Sequence, residues 1–164
     1  MTIEHQDSEI ILINGYEWTG EPDGVYLKRR HYSFAFSTIG NTYRVLLHRN
    51  KKGVIQISNE YHDLRYQTIE TSLVGDVLIL GMGLATIDQF LVTGTSWKWV
   101  ENNSWLYANV SVTNGTKHFG SAEDMEFLAT LGTFDTIFID FPQTWNNDYS
   151  SLLNIGGTVI EMKI

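Results

Sequence analysis

"GDVLILGMGLAT", residues 75–86, is the stretch on which the fold turns. Asp76 to Leu80 ends in a continuous apolar run, the pattern of a strand covered on both faces. Gly81-Met82-Gly83 follows as a glycine turn. Beyond it, "ATIDQFLVT" (85–93) sets Ile87, Phe90 and Leu91 on one side of a short helix. Buried strand, glycine turn and helix is the order in which many nucleotide-binding sites begin. The third small position is Ala85, preceded by Leu84, so the loop alone leaves the ligand open.

Downstream the same alternation continues. Strands are expected at 96–101 (SWKWVE), 116–120, 134–140 (FDTIFID) and 158–164, with helices at 103–111 and 122–132. Such alternation predicts a parallel sheet with right-handed crossovers. Upstream the pattern is strands and turns. "EIILI" (9–13) runs into Asn14-Gly15, a strong turn signal. Residues 25–37 alternate aromatic side chains at Tyr32, Phe34 and Phe36, as a half-buried strand does. "TYRVLLH" (42–48) and "GVIQIS" (53–58) flank turn residues and predict a hairpin. Residues 59–73 have the spacing of a helix, with Glu60 and Asp63 near its start. The expectation is an α/β chain: a β-rich segment with a linking helix over 1–73, then a Rossmann-like nucleoside-binding domain over 74–164.

Composition narrows the class. The chain has 164 residues, 43% hydrophobic and 18% charged, which is globular. It has no cysteine, hence no disulfide or thiolate chemistry. No apolar run reaches the roughly 20 residues of a membrane span, and the polar N-terminus does not read as a secretory signal. A cytoplasmic protein is expected. Net charge is −8. Residues 71–164 carry 3 Lys and Arg against 10 Asp and Glu, whereas residues 1–70 carry 8 against 9. That acidity disfavours nucleic acid, which needs a basic face, and suits a cationic substrate. The histidines form no i, i+4 pair, so no metal site is expected.

In open parallel sheets the ligand lies beyond the carboxyl ends of the strands. Gly81 and Gly83 stand at the end of the first of these strands and permit close backbone approach. Glu101 ends the second, 20 residues after Gly81, a spacing at which an acid can accept ribose hydroxyls. Asp140 ends the fourth. The paired segments "FDTIFID" (134–140) and "LLNIGGTVI" (152–160) resemble the S-adenosylmethionine-dependent transferases of the Rossmann-like methyltransferase class. "GVIQISNEYHDLRYQTI" (53–69) is similar to a segment of the spermidine synthases, the polyamine aminopropyltransferases. The ordered set covers roughly residues 25–164.

The resemblance implies a methyltransferase-type parallel sheet, cut short at the C-terminus and preceded by a small β-hairpin domain. It implies S-adenosylmethionine or its decarboxylated form as donor and a small cationic acceptor such as a polyamine. No metal and no membrane partner are expected, and the edge of the last strand, 158–164, predicts a homo-oligomer or cover by the N-terminal segment. On the resemblance, Asp140 and Tyr66 are catalytic. Gly81, Gly83, Glu101, Gln56, Ser121 and Ala122 hold the donor, and Gln67 and Gln143 face the acceptor. A methyltransferase with a small acceptor and a non-catalytic binding or scaffold protein are the alternatives. Departures from the family are Leu84 for its loop aspartate, Ser121 for its adenine-facing acid, which Glu123 or Asp124 could replace, and Gln143 for its second loop acid.

Overall fold

The computed structural model describes residues 2–8, 10–17, 42–48, 53–59, 66, 69–91, 96–140 and 147–161; for 14–17, 42–48, 53–59, 89 and 90 only the backbone is described. The chain divides into two compact units, Met1–Arg65 and Tyr66–Ile164.

The first unit holds a four-stranded antiparallel sheet in sequential order, β1 (Thr2–Gln6), β2 (Ile10–Glu17), β3 (Thr42–His48) and β4 (Gly53–Asn59). The expected hairpin is present, with His48 opposite Gly53 and Tyr43 opposite Asn59. Asn14-Gly15 corrects the expectation. The strand does not turn there but continues to Glu17. Ile13 pairs with Val45 and Tyr16 with Tyr43, so β2 carries one residue more than β3 between those pairs. The dipeptide is a β-bulge, where an extra residue bends the strand without ending it. β1 has no apolar alternation to announce it; it is exposed along most of its length. Its partner β2 buries four successive residues, Ile10 to Ile13. The expected strand over 25–37 and most of the helix over 59–73 lie outside the described residues.

The second unit is a five-stranded sheet, all its pairings parallel, in the order β7-β6-β5-β8-β9. Its strands are β5 (Asp76–Leu80), β6 (Ser96–Glu101), β7 (Thr116–Phe119), β8 (Phe134–Ile139) and β9 (Leu153–Glu161). With helices α1 (Ser104–Asn109) and α2 (Met125–Ala129) in its connections, the unit is mixed α/β. Leu78, Leu80, Val100, Ile137 and Ile139 form one core cluster with Leu128, Leu131, Tyr149 and Leu152. The alternate residues Val77, Ile79, Trp97, Trp99 and Phe138 are buried too. Successive side chains leave opposite faces of a strand, so burial on both faces accounts for the unbroken apolar runs.

Three expectations are revised here. Residues 86–90 form a 3₁₀ segment, not an α-helix. The β-branched Thr86 and Ile87 open it, and Asp88 spends its carboxylate on a distant loop, described below, in place of a helix terminus. The second helix is shorter than 122–132: Asp124 accepts the Phe127 N–H at 3.0 Å and starts it at Met125. The last strand begins at Leu153, earlier than expected. Between the pairs Phe134–Leu153 and Thr136–Thr158, β9 advances five residues while β8 advances two. Gly156 lies in that excursion at φ +79°, where an L side chain is strained. The Gly-Gly of the "LLNIGGTVI" segment is thus a bulge in β9.

The amino end of the sheet is closed by Asp135. Its carboxylate accepts the Asp76 N–H at 2.8 Å and the Asn154 side-chain amide at 3.0 Å. The Asp76 bond, and then the Asn154 bond, hold its pKa below the ordinary aspartate value. A carboxyl depressed in the fold stabilises above its unfolded pKa, and that contribution is lost as pH falls through the folded pKa. Asp135→Asn is therefore expected to lower the urea midpoint at pH 7, with the gap to the wild type closing on acidification below the ordinary aspartate range. Urea titrations at both pH values check this; a gap unchanged in acid would refute it.

Among the described residues no helix is long and apolar enough to cross a membrane.

Candidate functional site

The hydrogen-bonded ladder runs past the strands at their carboxyl ends. Gly120 N–H donates to Glu101 O at 3.1 Å, Gly81 N–H to Val100 O at 2.9 Å, and Asp140 N–H to Leu80 O at 2.9 Å. Gly120, Glu101, Gly81 and Asp140 consequently form one edge, at the ends of β7, β6, β5 and β8. Strand order reverses at β5, with β6 and β7 on one side and β8 on the other. A crevice beyond the strand ends at such a reversal is where open α/β sheets take ligands.

The glycine loop is shaped by left-handed backbone. Gly81 has φ +88°, Gly83 φ +54°, and Ala85, which has a Cβ, φ +55°. The side chains of Met82, Leu84 and Ala85 are buried. An apolar loop that turns its side chains inward has only its backbone to offer a ligand. One of those groups is already used. Gly83 N–H donates to Glu101 Oε2 at 2.9 Å, and Asn103 N–H donates to Glu101 Oε1 at 2.9 Å. Glu101 is 6% exposed, and two backbone donors satisfy its buried charge. It ties the loop after β5 to the start of α1, whose N-cap Asn103 accepts the Leu106 N–H at 3.0 Å. Each carboxylate oxygen has two acceptor sites, so each retains one.

At the other side of the reversal, the Tyr66 hydroxyl donates to Asp140 Oδ2 at 2.7 Å, across 74 positions of sequence. Tyr66 is 6% exposed and Asp140 half-buried. The two residues expected to be catalytic are thus brought together. The turn after β7 is built from its own groups. Ser121 Oγ accepts the Glu123 N–H at 3.1 Å, and Ala122 O accepts the Tyr149 hydroxyl at 2.8 Å. Asp124 is occupied in capping α2, and Glu123 is exposed. Gln56 lies on β4 in the first unit, opposite Leu46. Gln67 and Gln143 lie outside the described residues.

Asp88 was not expected to matter. Its carboxylate accepts Thr113 N–H at 2.6 Å, Asn114 N–H at 3.1 Å and the Asn114 side-chain amide at 3.0 Å. Asn114 O in turn accepts the Trp99 indole N–H at 2.6 Å. The only sequence signal was an acid inside an apolar helical pattern. His118, on β7, is held below the ordinary imidazole pKa by burial and then by the Lys98 charge. Among the described residues no three His, Asp or Glu side chains gather as metal ligands would.

The carboxyl edge therefore presents two acids, Glu101 and Asp140, a tyrosine hydroxyl and an apolar loop. It presents no lysine or arginine among Gly81–Ala85, Glu101–Asn103, Gly120–Asp124 and Asp140. No protein-family model matches the chain, and no curated protein matches it.

Proposed function

We propose that the carboxyl edge binds a sulfonium nucleoside and that the protein is a spermidine synthase-like transferase, moving an aminopropyl or other small group from S-adenosylmethionine or its decarboxylated form to an amine. The observation that carries this reading is the Tyr66–Asp140 hydrogen bond at the switch in strand order. A carboxylate in that position can anchor an ammonium group and take its proton, and the tyrosine holds the carboxylate in one orientation. The charge of the edge supports the donor class. A dinucleotide or nucleoside triphosphate would need cations or free loop N–H groups for its phosphates. Here the Gly83 N–H is turned to Glu101, and two acids flank the loop. A positively charged sulfonium has no such need.

The chemistry balances without a further reactant. The neutral amine attacks the carbon attached to sulfur, the C–N bond forms as the C–S bond breaks, and the electron pair returns to sulfur as a neutral thioether. The proton lost by the amine goes to Asp140. Glu101 uses its remaining acceptor sites for ribose hydroxyls. Ser121 and Ala122 line the base side in this reading.

One observation favours the non-catalytic alternative. Both oxygens of Glu101 already have backbone donors, which is what a purely structural acid would show. Ligand binding separates the two. At about 100 times Kd a ligand specific to the folded state contributes about 2.7 kcal/mol. For a chain of this size that raises Tm by roughly 5–10 °C. Such a rise is expected with decarboxylated S-adenosylmethionine, S-adenosylmethionine or 5′-methylthioadenosine, and none with NAD or ATP. Absence of binding by all three sulfur nucleosides in calorimetry ends the proposal. Product masses from a panel of amines then distinguish aminopropyl from methyl transfer.

A further inference from the structure

Phe119 is the residue at this edge that packing does not explain. It ends β7 and is 53% exposed. Isolated exposed apolar side chains are common on any protein, but this one has a particular position. Glu101 and Phe119 are register partners in the parallel β6–β7 pair, so their side chains leave the same face of the sheet. The backbone on both sides of the pair is fixed: Gly120 N–H is bonded to Glu101 O.

The ring also has a rigid backing. Its centroid lies 5.5 Å from that of Tyr107, at 51°. Tyr107 is held in turn by Lys117, whose Nζ donates to Tyr107 O at 2.5 Å and Val110 O at 2.8 Å and lies 5.3 Å from the Tyr107 ring centroid. Lysine, tyrosine and phenylalanine thus form a braced row, and its outermost member is Phe119. A half-exposed aromatic ring held against a neighbouring ring and one strand away from a carboxylate is a platform for a flat, uncharged group attached to a hydroxyl-bearing one.

We infer that Phe119 is the stacking surface for the base of the bound nucleoside, with the ribose on Glu101 and the purine over β7. This rests on the reading of the edge as a nucleoside site. It also assigns base recognition to an aromatic face instead of to an acid after β7, where the chain has Ser121.

The test compares 5′-methylthioadenosine with 5-methylthioribose, which lacks the base, by calorimetry on the wild-type chain and on Phe119→Ala, Phe119→Leu and Phe119→Trp. Losing an aromatic–base stack weakens binding by about 5- to 150-fold. That loss is expected for the nucleoside in Phe119→Ala and in Phe119→Leu, which keeps apolar bulk and guards against a folding defect. Phe119→Trp retains the nucleoside affinity, and 5-methylthioribose binds all four proteins alike. Unchanged nucleoside affinity in Phe119→Leu overturns the inference and leaves the site reading intact. An equal loss for both ligands also overturns it, since Phe119 would then only shape the edge. No nucleoside binding by the wild-type chain overturns the inference together with the reading beneath it.

Discussion

Asp140→Asn is expected to lower turnover by about 10²- to 10⁴-fold, the range removed with a positioned general base, while the folded protein is retained. The carboxamide is nearly the same shape, and its oxygen can still accept the Tyr66 hydroxyl that now reaches Asp140 Oδ2 at 2.7 Å. What it cannot do is accept a proton from an ammonium group or balance its charge. Tyr66→Phe removes the orienting hydroxyl and leaves the carboxylate proposed as base, so its effect on kcat is expected to be smaller. Steady-state kinetics with the amine identified by product analysis, alongside thermal melts, separate the cases. Full turnover by Asp140→Asn would move the base elsewhere on the edge. A collapse in Tm would make Asp140 a structural residue instead.

Trp99→Ala is expected to cost about 3–5 kcal/mol, the range for deleting a large buried aromatic side chain. Trp99 is fully buried on β6. Its indole N–H holds Asn114 O, whose residue is held in turn by Asp88. Truncation opens a cavity in the sheet and also unties the loop before β7 from β6. Against a typical total of about 5–15 kcal/mol, that is roughly a fifth or more of the stability. Trp99→Phe keeps most of the packing and loses the N–H, so about 1–2 kcal/mol is expected, in keeping with a lost hydrogen bond and partial cavity. Guanidinium denaturation followed by circular dichroism measures both. A loss below about 1 kcal/mol for the alanine variant would contradict the packing described.

How far these features could be foreseen depended on whether they were local. β5 at 76–80 was legible to the residue, because burial on both faces leaves an unbroken apolar run, and β6 at 96–101 was legible from Trp97, Trp99 and Val100 between polar ends. β3 at 42–48 was equally clear from its flanking turns. Asn14-Gly15 misled because the same dipeptide favours a hairpin turn and a bulge, and pairing partners in β3 decide between them. The 3₁₀ segment at 86–90 misled because its apolar spacing satisfies a helix of either pitch. In the site, Gly81, Glu101 and Asp140 were found as strand-end residues. The bonds from Gly83 and Asn103 to Glu101, and from Tyr66 to Asp140, are tertiary and leave no periodic trace. Asp88 was missed for the same reason: its partners lie 25 and 26 positions away.

The row of backbone bonds joining Gly120, Glu101, Gly81 and Asp140 also works as a ruler. Neighbouring strands stand about 4.8 Å apart, so Asp140 and Glu101, two intervals apart, mark off roughly 10 Å, and Phe119 on the next strand roughly 14 Å. The graduations belong to the main chain. A substitution at Glu101 or Asp140 changes what is read there but not where the mark stands, and the length of whatever lies along the edge is gauged by hydrogen bonds that no side chain supplies.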